Sequence, residues 1–151
     1  GGWGQTQAEI DDWMRENGFL SGNEQEARVS DLLADKRERT VYTVELGETI
    51  EDVVTRMKSH GISQLPVIDN SRVVGIVNES TVLEHLLGEG DREDVIDELV
   101  EAQFAIVEPS NKLSIIGQFF KQNKIVIVVE DNELVGIITK IDFIDHVSSR
   151  M

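Results

Sequence analysis

The stretch Gly75-Ile76-Val77-Asn78-Glu79-Ser80-Thr81 (GIVNEST) is echoed later in the chain by Gly136-Ile137-Ile138-Thr139-Lys140-Ile141-Asp142 (GIITKID). Sliding the chain against itself by about 61 residues pairs Gly75 with Gly136, Ile76 with Ile137, His85 with His146, and the run Val67-Ile68 with Val128-Val129. The two halves are therefore copies of one unit. They differ at their polar ends, where the first has Asn78 and Thr81 and the second has Thr139 and Asp142.

Working outward, each copy holds two β-branched runs around a polar turn. Leu65 to Ile68 and Arg72 to Val77 flank Asp69-Asn70-Ser71, while Ile125 to Val129 and Glu133 to Ile138 flank Asp131-Asn132, which is hairpin chemistry. An amphipathic helix precedes each hairpin. In the first copy Ile50, Val53, Val54 and Met57 fall at helical spacing and Gly61 is placed to end the helix. In the second, Leu113, Ile115, Ile116, Phe119 and Phe120 do the same, with Ser110 as N-cap. A second helix follows each hairpin, Thr81 to Leu87 and Ile141 to Val147, and a strand precedes each unit, Thr40 to Val44 and Phe104 to Val107. The order is strand, helix, strand, strand, helix, twice. One such unit buries too little surface to be stable alone. The expectation is an α+β fold of two units packed sheet to sheet about a pseudo-twofold axis, with a cleft between equivalent elements. The acidic stretch from Gly88 to Asp94 is the expected connector, and Val95 to Glu101 a helix leading into the second copy.

Composition narrows the function. With 29 acidic and 14 basic residues among 151, the net charge of −15 repels nucleic-acid backbones and anionic membrane surfaces, so neither is an expected partner. There is no cysteine, which excludes disulfides, thiolate metal sites and thiol nucleophiles. No apolar run reaches the length of a membrane span and no signal peptide is recognisable, so the expected location is cytoplasmic. The start Gly1-Gly2 is read as the beginning of a piece of a longer protein. His60, His85 and His146 stand as singletons on different helices, without carboxylate partners at ligand spacing, and no metal site is expected. Asp91, Glu93 and Asp94 lack EF-hand spacing and read as a solvated linker.

Chemistry concentrates after the second glycine. Thr139 falls at a strand-to-helix junction and Asp142 in the first turn of the helix, where a carboxylate can accept both hydroxyls of a ribose. The same pair equally suits a simple helix cap, with Asp142 favouring the helix dipole. Spacing alone leaves both readings open.

The repeated unit, the Gly-h-h-Thr-x-x-Asp form of GIITKID and the segment GISQLPVID (Gly61 to Asp69) resemble a tandem pair of CBS domains, the Bateman module. The resemblance divides the chain into a leading segment 1–29, a first repeat 30–90 and a second repeat 91–151. It implies a regulatory module without catalysis of its own, with an adenosine-type ligand in the inter-repeat cleft. One site would combine Thr139, Ile141 and Asp142 with Thr40, Val41, Ile62, Ser63, Gln64 and Leu65; a second, degenerate one would combine Asn78 and Thr81 with Phe104, Lys124, Ile125 and Val126. Thr81 in place of an aspartate weakens the ribose contact there. The resemblance also implies a homodimer, to which the apolar faces Val82, Leu83, Leu86 and Phe143, Ile144, Val147 are matched.

Upstream, Trp13-Met14-Arg15-Glu16-Asn17-Gly18-Phe19-Leu20 is similar to the segment joining the pyridoxal-phosphate catalytic domain of the cystathionine β-synthase family to its CBS pair. That implies S-adenosylmethionine as regulatory ligand, with pyridoxal phosphate only in a catalytic domain absent from this chain. The alternatives are an AMP- or ATP-sensing module of another protein and a ligand-free dimerisation scaffold. Few cations adjoin the implied site, Lys140 and Arg39 being the nearest in sequence, so S-adenosylmethionine ranks ahead of AMP and AMP ahead of ATP.

Overall fold

A computed structural model describes residues 26–36 and 40–149. In chain order the elements are α1 (Val29–Asp35), β1 (Val44–Glu45), α2 (Ile50–His60), β2 (Gln64–Asp69), β3 (Arg72–Asn78), α3 (Glu79–Leu87), a 3-10 turn (Ile96–Leu99), β4 (Phe104–Val107), α4 (Ser114–Lys121), β5 (Ile125–Glu130), β6 (Glu133–Ile138) and α5 (Lys140–Ser148). The strands form two three-stranded sheets, ordered β1-β2-β3 and β4-β5-β6. The β-α-β-β-α order thus occurs twice in an α+β fold, as the internal repeat implies. The described residues divide into two compact units, the first made of residues 40–104 with 131–134, the second of residues 26–36 with 105–130 and 135–149.

Local chemistry accounts for the elements. Asn70 and Ser71 have φ of 50° and 66°, and Asp131 and Asn132 have 53° and 66°. Two consecutive positive φ values are what a two-residue hairpin turn matched to strand twist needs, and short polar residues tolerate them. Each hairpin register follows, with Leu65 opposite Val77 and Gln64 opposite Asn78 in the first unit. Helix α2 opens with a capping box, Asp52 N–H donating to Thr49 Oγ1 at 3.2 Å and Thr49 N–H to Asp52 Oδ2 at 3.1 Å. It ends at Gly61, in the left-handed region at φ 62°.

Three sequence expectations are corrected. The strand expected over Thr40 to Val44 is only Val44–Glu45, paired in parallel with Val67 and Ile68. The stretch from Val95 to Glu101 forms one 3-10 turn rather than a helix, because its ends are committed elsewhere. Ile96 N–H donates to Glu48 O, and Glu101 exchanges both backbone hydrogen bonds with Ile76 at 2.8 and 2.9 Å. Ser110 is not a cap; it sits in a turn closed by Asn111, ahead of a helix that starts at Ser114.

The segments leading into each copy exchange places. Helix α1 precedes the first copy in sequence, yet Val29, Leu32 and Leu33 are buried with Val107, Leu113, Ile116, Val126, Val128 and Ile138 of the second unit. Ile96 and Leu99 precede the second copy, yet they are buried with Val44, Ile50, Val53, Leu65, Val67 and Val77 of the first. Burying a side chain such as Leu32 or Ile96 is worth about 1.5–3 kcal/mol, so these docked segments contribute materially to each core.

This exchange explains the repeated glycine. A Cβ built on Gly75 would lie 2.3 Å from Val100 Cγ1 and 2.7 Å from the Glu101 carbonyl oxygen, and one on Gly136 would lie 2.9 Å from Leu33 Cδ2. In both units the glycine lets the leading segment cross the hairpin closely. The helix faces are also corrected. Val82 and Val147 are buried, and Leu86 and Phe143 pack against the cores. The apolar side chains left in solvent are Leu83 (57%) and Leu87 (77%) on α3, and Ile141 (67%) and Ile144 (55%) on α5. Residues four apart share a helix face, so burying 82 with 86 turns 83 with 87 outward.

Candidate ligand site

The two strand-to-helix junctions marked by the repeat differ in chemistry. In the second unit Thr139 is the N-cap of α5 and Asp142 its N3 residue. Asp142 N–H donates to Thr139 Oγ1 at 3.2 Å, and Thr139 N–H donates to Asp142 Oδ2 at 2.9 Å. The same Thr-x-x-Asp pattern makes the same box at Thr49 and Asp52. Capping geometry therefore does not by itself mark a ligand site.

What sets Asp142 apart is a residue that sequence reasoning missed. Lys36, directly after α1, places Nζ 2.8 Å from Asp142 Oδ2 and also donates to the carbonyl oxygen of Ile137 at the end of β6. The two side chains are 18% and 23% exposed, so the pair is largely withdrawn from water. Burial pushes the Asp142 carboxyl upward, but the Lys36 ammonium together with the Thr139 backbone and hydroxyl outweighs it and holds the group below the usual carboxylate range. Asp142 is ionised at neutral pH and stays so because an ammonium balances it. One residue earlier, Asp35 Oδ2 lies 2.5 Å from Nδ1 of the buried His146, one turn further along α5. The last residue of α1 and the residue after it thus grip the same helix at two points.

The first unit closes its junction differently. Asn78 is the N-cap of α3 and accepts from Thr81 N–H at 3.0 Å. Glu101 then receives the Asn78 side-chain amide at 3.0 Å and the Thr81 hydroxyl as well. The Asn78 amide and the Thr81 hydroxyl are thus both taken up by a carboxylate from the leading segment.

The other residues singled out in the sequence are distributed as follows. Ile141 is exposed on α5, and Thr40 is exposed with Val41 half-buried ahead of β1. Ile62 packs against the first core, Ser63 is exposed with its carbonyl accepting Glu79 N–H, Gln64 begins β2, and Leu65 is fully buried. Phe104 begins β4, Lys124 lies over the Phe119 ring at 5.7 Å, Ile125 begins β5 and Val126 is fully buried. Lys140 donates to Asn123 Oδ1, away from Asp142, and Arg39 and the motif around Trp13 lie outside the described residues.

Ile62 and Ser63 also line an apolar groove of about 490 Å³ between α2 and α3, with Val54, Met57, Val82 and Leu83. The histidines are not partnerless: besides the Asp35–His146 pair, His85 Nε2 lies 2.8 Å from Asp94, and His60 stacks on Tyr42 at 3.5 Å. The carboxylates beside His85 and His146 come from other segments, which sequence spacing does not show. Among the described residues no three His, Cys, Asp or Glu side chains converge as a metal would need, and no helix is long and apolar enough to cross a membrane.

Comparison with known proteins bears on this geometry. The family model for the CBS domain matches twice, at residues 29–88 and 93–149. The chain is 29% identical over 121 residues to an uncharacterized protein of Methanocaldococcus jannaschii, covering 78% of this chain and 43% of that protein. It is 26% identical over 154 residues to cystathionine beta-synthase of Dictyostelium discoideum, covering 90% of this chain and 30% of the enzyme. The chain therefore spans less than half the length of these relatives. Among solved structures, a protein with CBS domains from Burkholderia ambifaria superposes with a TM-score of 0.70 at 26% identity, covering 82% of this chain and 95% of that one. A CBS domain pair solved in complex with 5′-methylthioadenosine and S-adenosyl-L-methionine superposes with a TM-score of 0.68 at 21% identity, covering 83% and 99%. With two family matches over its two β-α-β-β-α units, the chain belongs to the CBS domain family and is a tandem CBS pair, a regulatory ligand-binding module.

Proposed function

We propose that this module senses an adenosyl compound, S-adenosylmethionine first, and that it reads the ribose with Asp142. The observation that carries the reading is the asymmetry of the two junctions. Asp142 is an ionised, largely buried carboxylate beside Thr139, whereas Thr81 has no charge and its hydroxyl is already spent on Glu101. A carboxylate accepts a diol in two charge-assisted hydrogen bonds; a hydroxyl with its proton committed offers little. Thr40, Val41, Ile62, Ser63, Gln64 and Leu65 are assigned to the adenine side of this site. Asn78, Thr81, Phe104, Lys124, Ile125 and Val126 are assigned to the degenerate one.

Charge supports the ranking of ligands. Lys36 is a cation at the junction, but Asp142 balances it, so a polyphosphate gains no surplus positive charge there. A sulfonium or a monophosphate is the better match, and a related pair binds S-adenosyl-L-methionine. The likeness to a cystathionine beta-synthase that extends well beyond this segment supports a parent enzyme with a pyridoxal-phosphate domain elsewhere in its chain. Exposed Leu83, Leu87, Ile141 and Ile144 favour, in addition, homodimerisation through α3 and α5.

Thermal unfolding with a panel of S-adenosylmethionine, 5′-methylthioadenosine, AMP and ATP tests the reading. A ligand at a hundred times its Kd adds about 2.7 kcal/mol, or roughly 5–11 °C for a chain of this size. No shift with any of the four at millimolar concentration leaves the scaffold reading standing.

A further inference from the structure

We infer that Lys36 is an internal occupant of the Asp142 carboxylate, and that a ribose must displace its ammonium, loosening α1 as it does so. The inference rests on the reading of Asp142 as the ribose contact. Its geometry is independent of that reading. Lys36 Nζ and Thr139 N–H share Oδ2 of Asp142, and Lys36 is further anchored on the Ile137 carbonyl. A diol accepted by both carboxylate oxygens competes with the ammonium for Oδ2. Because Lys36 directly follows α1, and the neighbouring Asp35 grips His146 on the same helix, displacement is felt by a segment packed through Val29, Leu32 and Leu33. Leu33 is also the side chain seated over Gly136, at the head of the same motif. The site is thereby coupled to the chain segment that leads upstream, and Lys36 sets how much diol binding costs.

Two measurements on the whole chain decide this, and the first needs no ligand. Hydrogen exchange of the unliganded protein should be faster across residues 29–35 in Lys36→Met than in wild type, with residues 50–60 unchanged; equal exchange across 29–35 overturns the coupling. The second is titration with adenosine, a neutral probe whose affinity does not respond to the simple loss of a charge. Lys36→Met should bind adenosine about fivefold tighter, which is about 1 kcal/mol, and should show no gain for 2′-deoxyadenosine, which lacks the diol. Unchanged or weaker adenosine binding, or an equal gain for the deoxynucleoside, overturns the competition. Binding to neither protein, with α1 still released in Lys36→Met, refutes Asp142 as a ribose contact while leaving the lysine clasp intact, so the two failures are distinguishable.

Discussion

Replacing Gly75 by alanine should be far more damaging than the same change at Gly136, although the two occupy equivalent positions in the repeat. Neither residue has a positive φ, so backbone strain does not enter. At Gly75 the new methyl would meet Val100 Cγ1 at 2.3 Å and the Glu101 carbonyl oxygen at 2.7 Å. Rotating Val100 relieves the first contact. The second moves backbone, and that backbone is held to Ile76 by hydrogen bonds of 2.8 and 2.9 Å. Overpacking costs about 1–3 kcal/mol and a lost hydrogen bond about 1 kcal/mol, so the total is about 2–4 kcal/mol. At Gly136 the methyl would touch Val128 Cβ at an ordinary 4.0 Å and crowd only the end of Leu33 at 2.9 Å, a side chain that can shift for about 1 kcal/mol, and the loss of glycine freedom in the unfolded chain offsets much of that. Urea unfolding followed by circular dichroism should place the Gly75→Ala midpoint roughly 1–2 M below wild type, and Gly136→Ala within about 0.5 M. Equal losses at both positions would refute the claim that the glycines make room for docked segments of unequal rigidity.

Asp142 should also impose a pH dependence on stability. Its folded pKa lies below the ordinary carboxylate value of about 3.9, so the ionised form favours folding; the contribution is complete above that value and disappears as pH falls through the folded pKa. The stability difference between wild type and Asp142→Asn should therefore be flat around neutrality and shrink below about pH 4, and a difference that grows on acidification contradicts the pairing. Leu32→Ala should cost about 2–5 kcal/mol, because Leu32 is 1% exposed; a loss under 1 kcal/mol in denaturant unfolding would mean that α1 is not docked. Glu48→Gln should cost at most about 1 kcal/mol, since the Glu48–Arg56 pair at 2.6 and 2.9 Å is partly exposed, and double-mutant unfolding with Arg56→Met reads the coupling. On the proposed pairing through α3 and α5, light scattering should show wild type as a dimer and a Leu83→Glu, Ile144→Glu double variant as a monomer with a folded circular dichroism spectrum; a wild type that is monomeric at tens of micromolar contradicts the pairing.

Much of the fold is legible because its signals are local. Alternating β-branched runs, Asn70-Ser71 and Asp131-Asn132 at the turns, Gly61 after α2 and the Thr139 cap each act within a few residues. What stayed hidden depends on segments far apart in sequence. Val95 to Glu101 has apolar spacing that suits a helix, but Ile76 and Glu48 claim its backbone. Val82 and Leu83 are equally apolar neighbours, and only the packed core decides which of them is buried. The candidate site divides the same way. Thr139 and Asp142 announce themselves as a spaced pair, while Lys36 carries no motif and becomes visible only when α1 docks beside α5. Glu101 is hidden for the same reason, since its contact with Asn78 and Thr81 depends on the pairing with Ile76.

Isothermal titration with S-adenosylmethionine across three proteins tests the central claim most directly. Wild type should bind one molecule per chain, Thr81→Ala should bind with unchanged stoichiometry and affinity, and Asp142→Ala should not bind measurably while retaining its circular dichroism spectrum. Two molecules per chain in wild type, or binding that survives in Asp142→Ala, would contradict a single ribose-reading junction at the head of α5.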